Sequence, residues 1–377
     1  MLVAGCSEAQ PTSESPSLRE AIAQMLVVGF RGTQVDSTHH IVRDILQHHI
    51  GGVILFEYDA PSGSRPRNIT SAAQLRQLCT DLQSLRAEPL LISIDQEGGR
   101  VSRLKEAYGF PHFASAQHTA EQGDDSVTAC ARLTAQTLHE MGVNVDFAPC
   151  VDVNVNPQCP VIGRLERSFS SQPAQVAHCA AIWLDELSRQ GVIACPKHFP
   201  GHGSSQKDSH LGLADVSRTW QAGELEPYRT LIATRQVPMI MTTHVFNSRL
   251  DPTWPATLSH ATLTTLLRDS LGFDGVIITD DLAMGAMTKQ YSYDTILRRA
   301  IAAGANMLCL SNNGSVYDAD LVPRTIDAVE RLVREGQLDA ELIFRSAERV
   351  WAMKARYLRP PSSALAKPTE PKREGAR

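Results

Sequence analysis

Eight short runs of apolar residues recur along this chain, and most are followed by a stretch whose apolar residues have helical spacing. Runs that are apolar throughout are typical of parallel strands that are buried on both faces of a sheet. The runs occupy residues 25–30, 51–56, 90–94, 143–149, 191–194, 237–244, 275–279 and 306–310. Strands that alternate with amphipathic helices predict an α/β fold in which helices cover a parallel sheet.

The number of these units narrows the predicted architecture. Eight strand–helix units suit a closed (β/α)8 barrel of the TIM type better than an open, doubly wound sheet. The barrel is predicted to occupy residues 17–358, which leaves no room for a second globular domain. No G-x-G-x-x-G or P-loop motif follows any of the strands, so the sequence supports no nucleotide cofactor.

Capping signals place several of the helices. Ser17-Leu18-Arg19-Glu20 has the spacing of a capping box and should open the first helix. Ser259 should cap a later helix that stops at Gly272. The remaining helices are predicted near residues 36–47, 75–85, 126–141, 173–190, 224–235, 293–303, 320–335 and 339–357.

Composition restricts the partners of the chain. A net charge of −5 argues against nucleic acid, because phosphate binding requires a basic face. No apolar run approaches the roughly 18 residues that a transmembrane helix needs. The eight cysteines include no C-x-x-C pair, which disfavours a thiolate zinc site. Cys79, Cys130 and Cys179 fall on apolar helix faces and are expected to be buried thiols, whereas Cys150 and Cys159 could pair across a loop.

The two ends of the chain differ in composition from the predicted barrel. Leu2-Val3-Ala4-Gly5-Cys6 resembles the cleavage box of a bacterial lipoprotein, but only five residues precede Cys6. If the natural start lies upstream, which is the preferred interpretation, the protein is periplasmic or anchored to a membrane through Cys6. If the match is accidental, residues 1–16 are a linker and the protein is cytoplasmic. Residues 359–377 are rich in Pro, Ser and Lys and are predicted to be disordered.

The most polar stretch, 195–210, follows the apolar run 191–194 directly and reads C-P-K-H-F-P-G-H-G-S-S-Q-K-D-S-H. Gly201 and Gly203 allow this loop to bend sharply. In a barrel, the carboxyl ends of the strands meet at one face, where catalytic groups sit. The stretch is therefore a candidate active-site loop, and the alternative is a solvated surface loop.

Other strand ends also carry polar residues, which are expected to gather at the same face. They are Asp95, Glu97, Arg103, Asp146, Asp152, Arg164, Arg167, Lys197, His198, His202, Asp208, His210, His244, Asp280 and Asp281. Carboxylates accept hydrogen bonds from sugar hydroxyls and Arg or Lys donates to them, so the set suits a polyhydroxylated substrate. Taken singly, His198 and His244 could be satisfied core histidines, and Glu97 and Asp281 could brace nearby backbone.

Three motifs resemble those of glycoside hydrolase family 3 β-N-acetylhexosaminidases. The first is Lys197-His198-Phe199-Pro200-Gly201-His202-Gly203 followed by Asp208-Ser209-His210, the second is Asp95-Gln96-Glu97-Gly98-Gly99-Arg100 with Arg103, and the third is Thr279-Asp280-Asp281-Leu282-Ala283-Met284. The resemblance covers about residues 18–357, in matching order. It is greatest to the single-domain enzymes that release N-acetylglucosamine from peptidoglycan fragments.

The resemblance implies a role for each matching residue. Asp280 would be the nucleophile, and His210 the general acid/base positioned by Asp208. An imidazole suits that role because its unperturbed pKa of about 6.5 lets it give and take a proton near neutrality. The residues implied in sugar binding are Asp95, Arg103, Arg167, Lys197 and His198.

One departure from the family pattern concerns an arginine. The usual Ile-Gly-x-Arg-Ser-Phe is here Ile162-Gly163-Arg164-Leu165-Glu166-Arg167-Ser168-Phe169, which contains two extra residues. Either Arg164 or Arg167 could therefore reach the substrate. The Ser-Phe that follows favours Arg167.

Three classes of function remain open on the sequence. The favoured one is a retaining exo-β-N-acetylglucosaminidase, a monomer without a metal or other cofactor, that acts on an oligosaccharide or muropeptide; phosphate as the acceptor is a variant of it. The second is a metal-dependent barrel hydrolase that uses ligands such as His198, His202, His210, His244 and Asp280. The third is a non-catalytic sugar-binding barrel.

Overall fold

The computed structural model of the protein describes residues 16–358. Cys6 with its lipoprotein-like box and the predicted disordered tail, 359–377, lie outside the described residues. In the described part, no helix combines the length and apolar character needed to cross a membrane.

Eight short parallel strands form the centre of the fold. They are β1 Leu26–Gly29, β2 Gly52–Ile54, β3 Leu91–Ile94, β4 Val145–Asp146, β5 Ile193–Ala194, β6 Met239–Met241, β7 Val276–Ile278 and β8 Leu308–Leu310. Six of them form one sheet in the order β5-β4-β3-β2-β1-β8, and β6 pairs with β7 in a second. Isolated parallel bridges, Phe199 to Thr242 and Ile278 to Met307, link the two sheets. The predicted α/β fold with a parallel sheet is confirmed.

Helices alternate with these strands. They are α1 Leu18–Gln24, α2 His40–Arg43, α3 Ala72–Ser84, α4 Ala116–Glu121, α5 Asp124–Met141, α6 Pro173–Arg189, α7 Glu226–Ala233, α8 Gly285–Thr288, α9 Tyr293–Ala303, α10 Leu321–Arg334 and α11 Ala340–Tyr357. Asp44–His48, which continues α2, and Ala261–Ser270 are π-helical. The short α4 and α8 were not anticipated from the sequence.

Local capping chemistry explains where several helices begin. Ser17 and Glu20 form the predicted capping box, since the Ser17 side chain accepts from the Glu20 N–H and the Glu20 carboxylate accepts from the Ser17 N–H. The Ser259 hydroxyl likewise accepts from the Thr262 N–H. The predicted start of α2 at Asp36 was wrong, because the Asp36 carboxylate accepts from the Thr38 N–H at 2.8 Å and makes a turn before the helix.

Apolar side chains cover both faces of the sheet. Along β1, Leu26 and Val28 pack in the cluster shared with the helices, while Val27 belongs to a separate interior cluster. This alternation explains why the strands read as continuous apolar runs. At the carboxyl ends of the strands the interior cluster finishes in Phe56 and Phe147, which also line a cavity. The packed interior therefore forms the floor of that cavity.

The cysteines in the described residues are buried free thiols. This confirms the prediction for Cys79, Cys130 and Cys179. Cys150 and Cys159 are also free, so the disulfide considered between them is not present. They lie instead in one small apolar cluster with Val161 and Ile162.

Gly203 marks a point where two loops touch backbone to backbone. A Cβ atom at this position would lie 1.8 Å from the carbonyl oxygen of Val153. We expect Gly203→Ala to lower the free energy of unfolding by about 1–3 kcal/mol or more, because the loops after β4 and β5 must separate. Gly223→Ala is the matched control, since its Cβ would make only an ordinary contact at 3.6 Å. Equal denaturant midpoints for the two variants would contradict this packing.

Candidate active site

A cavity of about 610 Å³ opens at the carboxyl ends of the strands. Its wall includes apolar residues from the strands and polar residues from the loops that follow them. The polar lining residues are Glu57, Tyr58, Arg65, Asp95, Arg103, Arg167, Lys197, His198, His202, Asp208, Ser209, His210, Asp280, Asp281, Ser311 and Asn313. A volume of this size is typical of small-ligand sites.

A network of ion pairs joins the loops after β3 and β5 on one side of the cavity. The Lys197 ammonium lies 2.7 Å from Asp95 Oδ1 and 2.7 Å from Glu97 Oε1. Arg103 contributes a contact of 3.2 Å to Asp95 Oδ2. Arg167 donates to both oxygens of Glu97, at 2.8 and 2.7 Å. Two carboxylates and three cations therefore fix one another, and we call this group the ion-pair network.

The network keeps its members charged in spite of burial. Burial favours the neutral form of Asp95, but Lys197 and Arg103 outweigh it and hold the pKa of that carboxyl well below its usual range. Burial also opposes the ionisation of Glu97, yet Arg167 and Lys197 lower its pKa to about 2. In turn, Asp95 and Glu97 overcome the burial of Lys197 and raise the pKa of its ammonium.

Asp152, which follows β4, organises a second buried group. Its Oδ2 lies 2.6 Å from His198 Nδ1, and its Oδ1 accepts from the His202 backbone N–H at 2.7 Å. The Cys150 thiol donates to the same carboxylate at 3.2 Å. On the other side of the His198 ring, Nε2 lies 3.1 Å from Arg167 Nη2. His198 is thus held in a fixed orientation between Asp152 and the ion-pair network.

Among residues 16–358, Cys150, Asp152 and His198 form the one group whose side chains come close enough to hold a metal ion, with ligand atoms within 4.8 Å of one another. Of the ligands considered for a metal-dependent hydrolase, only His198 belongs to this group. His202 Nε2 contacts Ser209 Oγ at 3.0 Å, and His244 contacts the Thr257 hydroxyl and the Asp281 carbonyl. The histidines thus make separate contacts.

The third feature is a histidine–aspartate pair on the loop that follows β5. His210 Nδ1 lies 2.7 Å from Asp208 Oδ1, and the same oxygen accepts from the His210 backbone N–H at 2.8 Å. The side chains of His210 and Asp208 are 62% and 31% exposed. Because Asp208 occupies Nδ1, the Nε2 atom of His210 is left free for a proton transfer.

Asp280 and Asp281 follow β7 and occupy different environments. The Asp281 carboxylate accepts from the Ala283 N–H and from both the N–H and hydroxyl of Ser311, so it braces the adjacent loops. Burial raises the pKa of Asp281. Asp280 accepts, within the described residues, a single hydrogen bond, from the Asp281 N–H at 2.8 Å. Burial opposes its ionisation, but His244, His198 and His210 outweigh that effect and lower the pKa of Asp280.

The structure brings to this cavity all eight residues to which the family resemblance gave a role: Asp95, Arg103, Arg167, Lys197, His198, Asp208, His210 and Asp280. Of the other strand-end candidates, Asp146 does not line it and accepts instead from the Gln96 N–H at 3.0 Å. Arg164 does not line it and instead donates to Gln158 at 3.2 Å. His244 fits the alternative given in the sequence analysis, a core histidine with its hydrogen bonds satisfied. It is fully buried and contacts the Thr257 hydroxyl and the Asp281 carbonyl.

Several lining residues escaped the sequence analysis. Glu57 and Tyr58 lie three and four residues after the end of β2, and Ser311 and Asn313 follow β8. The rule that located the other residues, polar side chains at the ends of strands, would have found them if it had been applied to these two strands as well. Arg65 lies farther along the loop after β2, where no sequence signal marks it.

The chain is similar to a known protein family and to curated relatives. Residues 17–353 match the glycosyl hydrolase family 3 N terminal domain. A beta-hexosaminidase of Tolumonas auensis is 36% identical over 293 residues, which cover 76% of this chain and 83% of the relative. Beta-hexosaminidase LpqI of Mycobacterium tuberculosis is 32% identical over 362 residues, which cover 93% and 86%.

The fold agrees as well. The solved structure of a glycoside hydrolase family 3 beta-N-acetylglucosaminidase from Paenibacillus sp. str. FPU-7 matches with a TM-score of 0.81 at 34% identity, over 91% of this chain and 63% of that chain. The chain belongs to glycoside hydrolase family 3. The resemblance found in its three motifs is confirmed, and the chain is a glycoside hydrolase of the β-N-acetylhexosaminidase type.

The ion-pair network makes a prediction about Glu97. Its carboxyl has a pKa of about 2 in the folded protein, below the value of about 4.3 in an unfolded chain, so its stabilisation is complete above pH 4.3 and is lost as the pH falls towards 2. We expect Glu97→Gln to lower the free energy of unfolding by about 3–5 kcal/mol at pH 7, because Arg167 and Lys197 lose a buried partner. The deficit should shrink between pH 4.3 and 2.

Urea titrations of Glu97→Gln across this pH range measure that deficit. Glu348→Gln, which removes an exposed carboxylate on α11, is the control and should change little at any pH. A Glu97→Gln deficit that is small at pH 7, or that grows on acidification, would contradict the network.

Proposed function

We propose that this hydrolase is a retaining exo-β-N-acetylglucosaminidase that removes terminal N-acetylglucosamine from peptidoglycan fragments through a covalent glycosyl-enzyme. The observation that best supports this mechanism is the environment of Asp280. It is a carboxylate at the cavity that no Lys or Arg among the described residues neutralises, and it faces the same cavity as the His210–Asp208 pair. Every other carboxylate that lines the cavity is ion-paired or, like Asp281, engaged by several donors.

In the first step, an Asp280 oxygen forms a bond to the anomeric carbon while the bond from that carbon to the glycosidic oxygen breaks. Protonated His210 gives its Nε2 proton to the leaving oxygen and becomes neutral, and Asp208 holds the Nδ1–H throughout. In the second step, neutral His210 takes a proton from water as the water oxygen attacks the anomeric carbon. Asp280 leaves as a carboxylate, and two inversions give net retention.

The ion-pair network is the part of the site that would hold the sugar. Asp95 can accept from sugar hydroxyls, and Lys197, Arg103 and Arg167 can donate to them, since each side chain keeps hydrogen-bonding capacity beyond its ion pair. Because these groups already fix one another, little side-chain entropy is lost when the sugar binds. The apolar floor below them blocks passage through the barrel, which favours an exo mode of attack on a terminal residue.

The peptidoglycan substrate rests on the likeness of the three motifs to peptidoglycan-recycling members of the family. We also infer that the two sheets close into one barrel over residues 17–358, which acts as a monomer. The bridges from Phe199 to Thr242 and from Ile278 to Met307 support closure, since they lie at the two junctions between the sheets.

The role of His210 predicts a dependence on the leaving group. His210→Ala should lower kcat/KM for phenyl-type N-acetylglucosaminides by about 100-fold or more, because a poor leaving group needs the proton. The loss should be much smaller for dinitrophenyl glycosides, which depart without protonation. His112→Ala is the control, since it removes an exposed histidine with a similar carboxylate contact, 2.6 Å to Glu106. Equal losses on good and poor leaving groups would rule out His210 as the acid.

The substrate class has its own test. The protein is incubated with an aryl β-N-acetylglucosaminide and, separately, with anhydro-muropeptides, and both products of each reaction are followed by mass spectrometry. We expect release of free N-acetylglucosamine from both, with Asp280→Ala inactive on both. Cleavage of the aryl glycoside without any cleavage of the muropeptide would contradict the peptidoglycan assignment while leaving the chemistry intact.

A further inference from the structure

Ser209 lies between Asp208 and His210, the pair that we call the dyad. Ser209 is itself buried, with 2% of its surface accessible. Its hydroxyl lies 3.0 Å from His202 Nε2, and its carbonyl accepts from the Ala286 N–H at 3.2 Å. Asp208 and His210, in contrast, hydrogen-bond chiefly to each other. The place of the dyad is therefore set by the residue between them.

His202 is a rigid anchor for that serine. Its backbone N–H donates to Asp152 Oδ1 at 2.7 Å, and its ring is buried beside the ring of His198. Burial, against the opposing effect of Asp152, lowers the pKa of His202 to about 4, so the ring is neutral at neutral pH. A neutral ring holds Ser209 by a hydrogen bond without adding a charge beside the site.

The other side of the dyad loop rests on α8, the helix that follows Asp280. A Cβ atom on Gly285 would lie 2.6 Å from the His210 carbonyl oxygen, so the two backbones are in direct contact. The Lys289 ammonium donates to the Leu211 carbonyl at 2.9 Å. These contacts join the loop that carries the dyad to the segment that carries the proposed nucleophile.

We propose that His202 and Ser209 are positioning residues, a latch that seats the Asp208–His210 dyad on α8 and so presents His210 to the bond attacked by Asp280. This inference rests on the proposed function. A general acid must come within about 2.6–3.2 Å of the atom it protonates. When the latch is broken, only the fraction of molecules with the loop seated delivers the proton, and the rate falls with that fraction.

The test compares Ser209→Ala with Ser346→Ala, which removes another buried hydroxyl. Ser346 is on α11, outside the cavity lining, and its hydroxyl accepts from the Asn306 side chain. We measure kcat/KM on aryl N-acetylglucosaminides over a range of leaving groups. Ser209→Ala should lose about tenfold on poor leaving groups, as expected for one hydrogen bond, and much less on dinitrophenyl glycosides. Ser346→Ala should show no such trend. A uniform loss across the series, or none, overturns the proposal.

Two further measurements separate the latch from the chemistry. His202→Gln, which keeps a side chain able to donate or accept a hydrogen bond, should retain more activity on poor leaving groups than His202→Leu, and equal losses would overturn the role of the hydrogen bond. Tryptic cleavage at the exposed Lys207 should speed up about tenfold in Ser209→Ala but not in Ser346→Ala, because cleavage follows the fraction of open loop. Unchanged cleavage overturns the latch whether or not the wild type turns over, whereas a wild type inactive on the whole aryl series overturns the proposed function.

Discussion

The site depends first on the buried ammonium of Lys197, which lies between Asp95 and Glu97 with 2% of its side chain exposed. An unpaired charge in this position would be costly, and so would either carboxylate alone. Together they tie the end of β5 to the end of β3, and Arg167 extends the connection to the long loop after β4. The polar wall of the cavity is rigid because its charges satisfy one another before any substrate arrives.

Against this rigid wall, the residues proposed for proton transfer sit on a loop held by few contacts. Asp152 connects the rigid wall to this loop, since its carboxylate orients the His198 ring and also accepts a hydrogen bond from the backbone of His202. From His202 the connection passes to Ser209 and then to α8, beside Asp280. The segment 197–210 thus carries Lys197 and His198, proposed to hold the sugar, and the Asp208–His210 pair, proposed to deliver the proton, and its two halves are anchored by different contacts.

The sequence predicted the architecture where the signal was local. Helix α9 begins and ends where predicted, because Ser292 caps it and Gly304 ends it in a left-handed conformation. Polar residues at the strand ends located the candidate site, because parallel strands bring those ends together. The short α8 was missed because its four residues are too few to show a helical spacing of apolar side chains. The turn at Asp36 was missed because it depends on a hydrogen bond from the Thr38 N–H to the Asp36 carboxylate.

What the sequence left open depends on contacts between distant residues. Arg167 lines the cavity and Arg164 does not, because Arg167 pairs with Glu97, which lies 70 residues away in sequence. Likewise, no local pattern distinguishes Asp280 from Asp281. The difference lies in Ser311, whose N–H and hydroxyl both donate to Asp281 and not to Asp280.

The most direct test of the proposed mechanism is to trap the glycosyl-enzyme. The protein is incubated with a 5-fluoro-N-acetylglucosaminyl fluoride, which slows release of the intermediate, and its peptides are mapped by mass spectrometry. If Asp280 is the nucleophile, one fluorinated N-acetylhexosaminyl group is expected on the peptide that carries Asp280, at that carboxylate. A label on a different carboxylate, or turnover without any adduct and with an inverted anomeric centre in the first product, would contradict it.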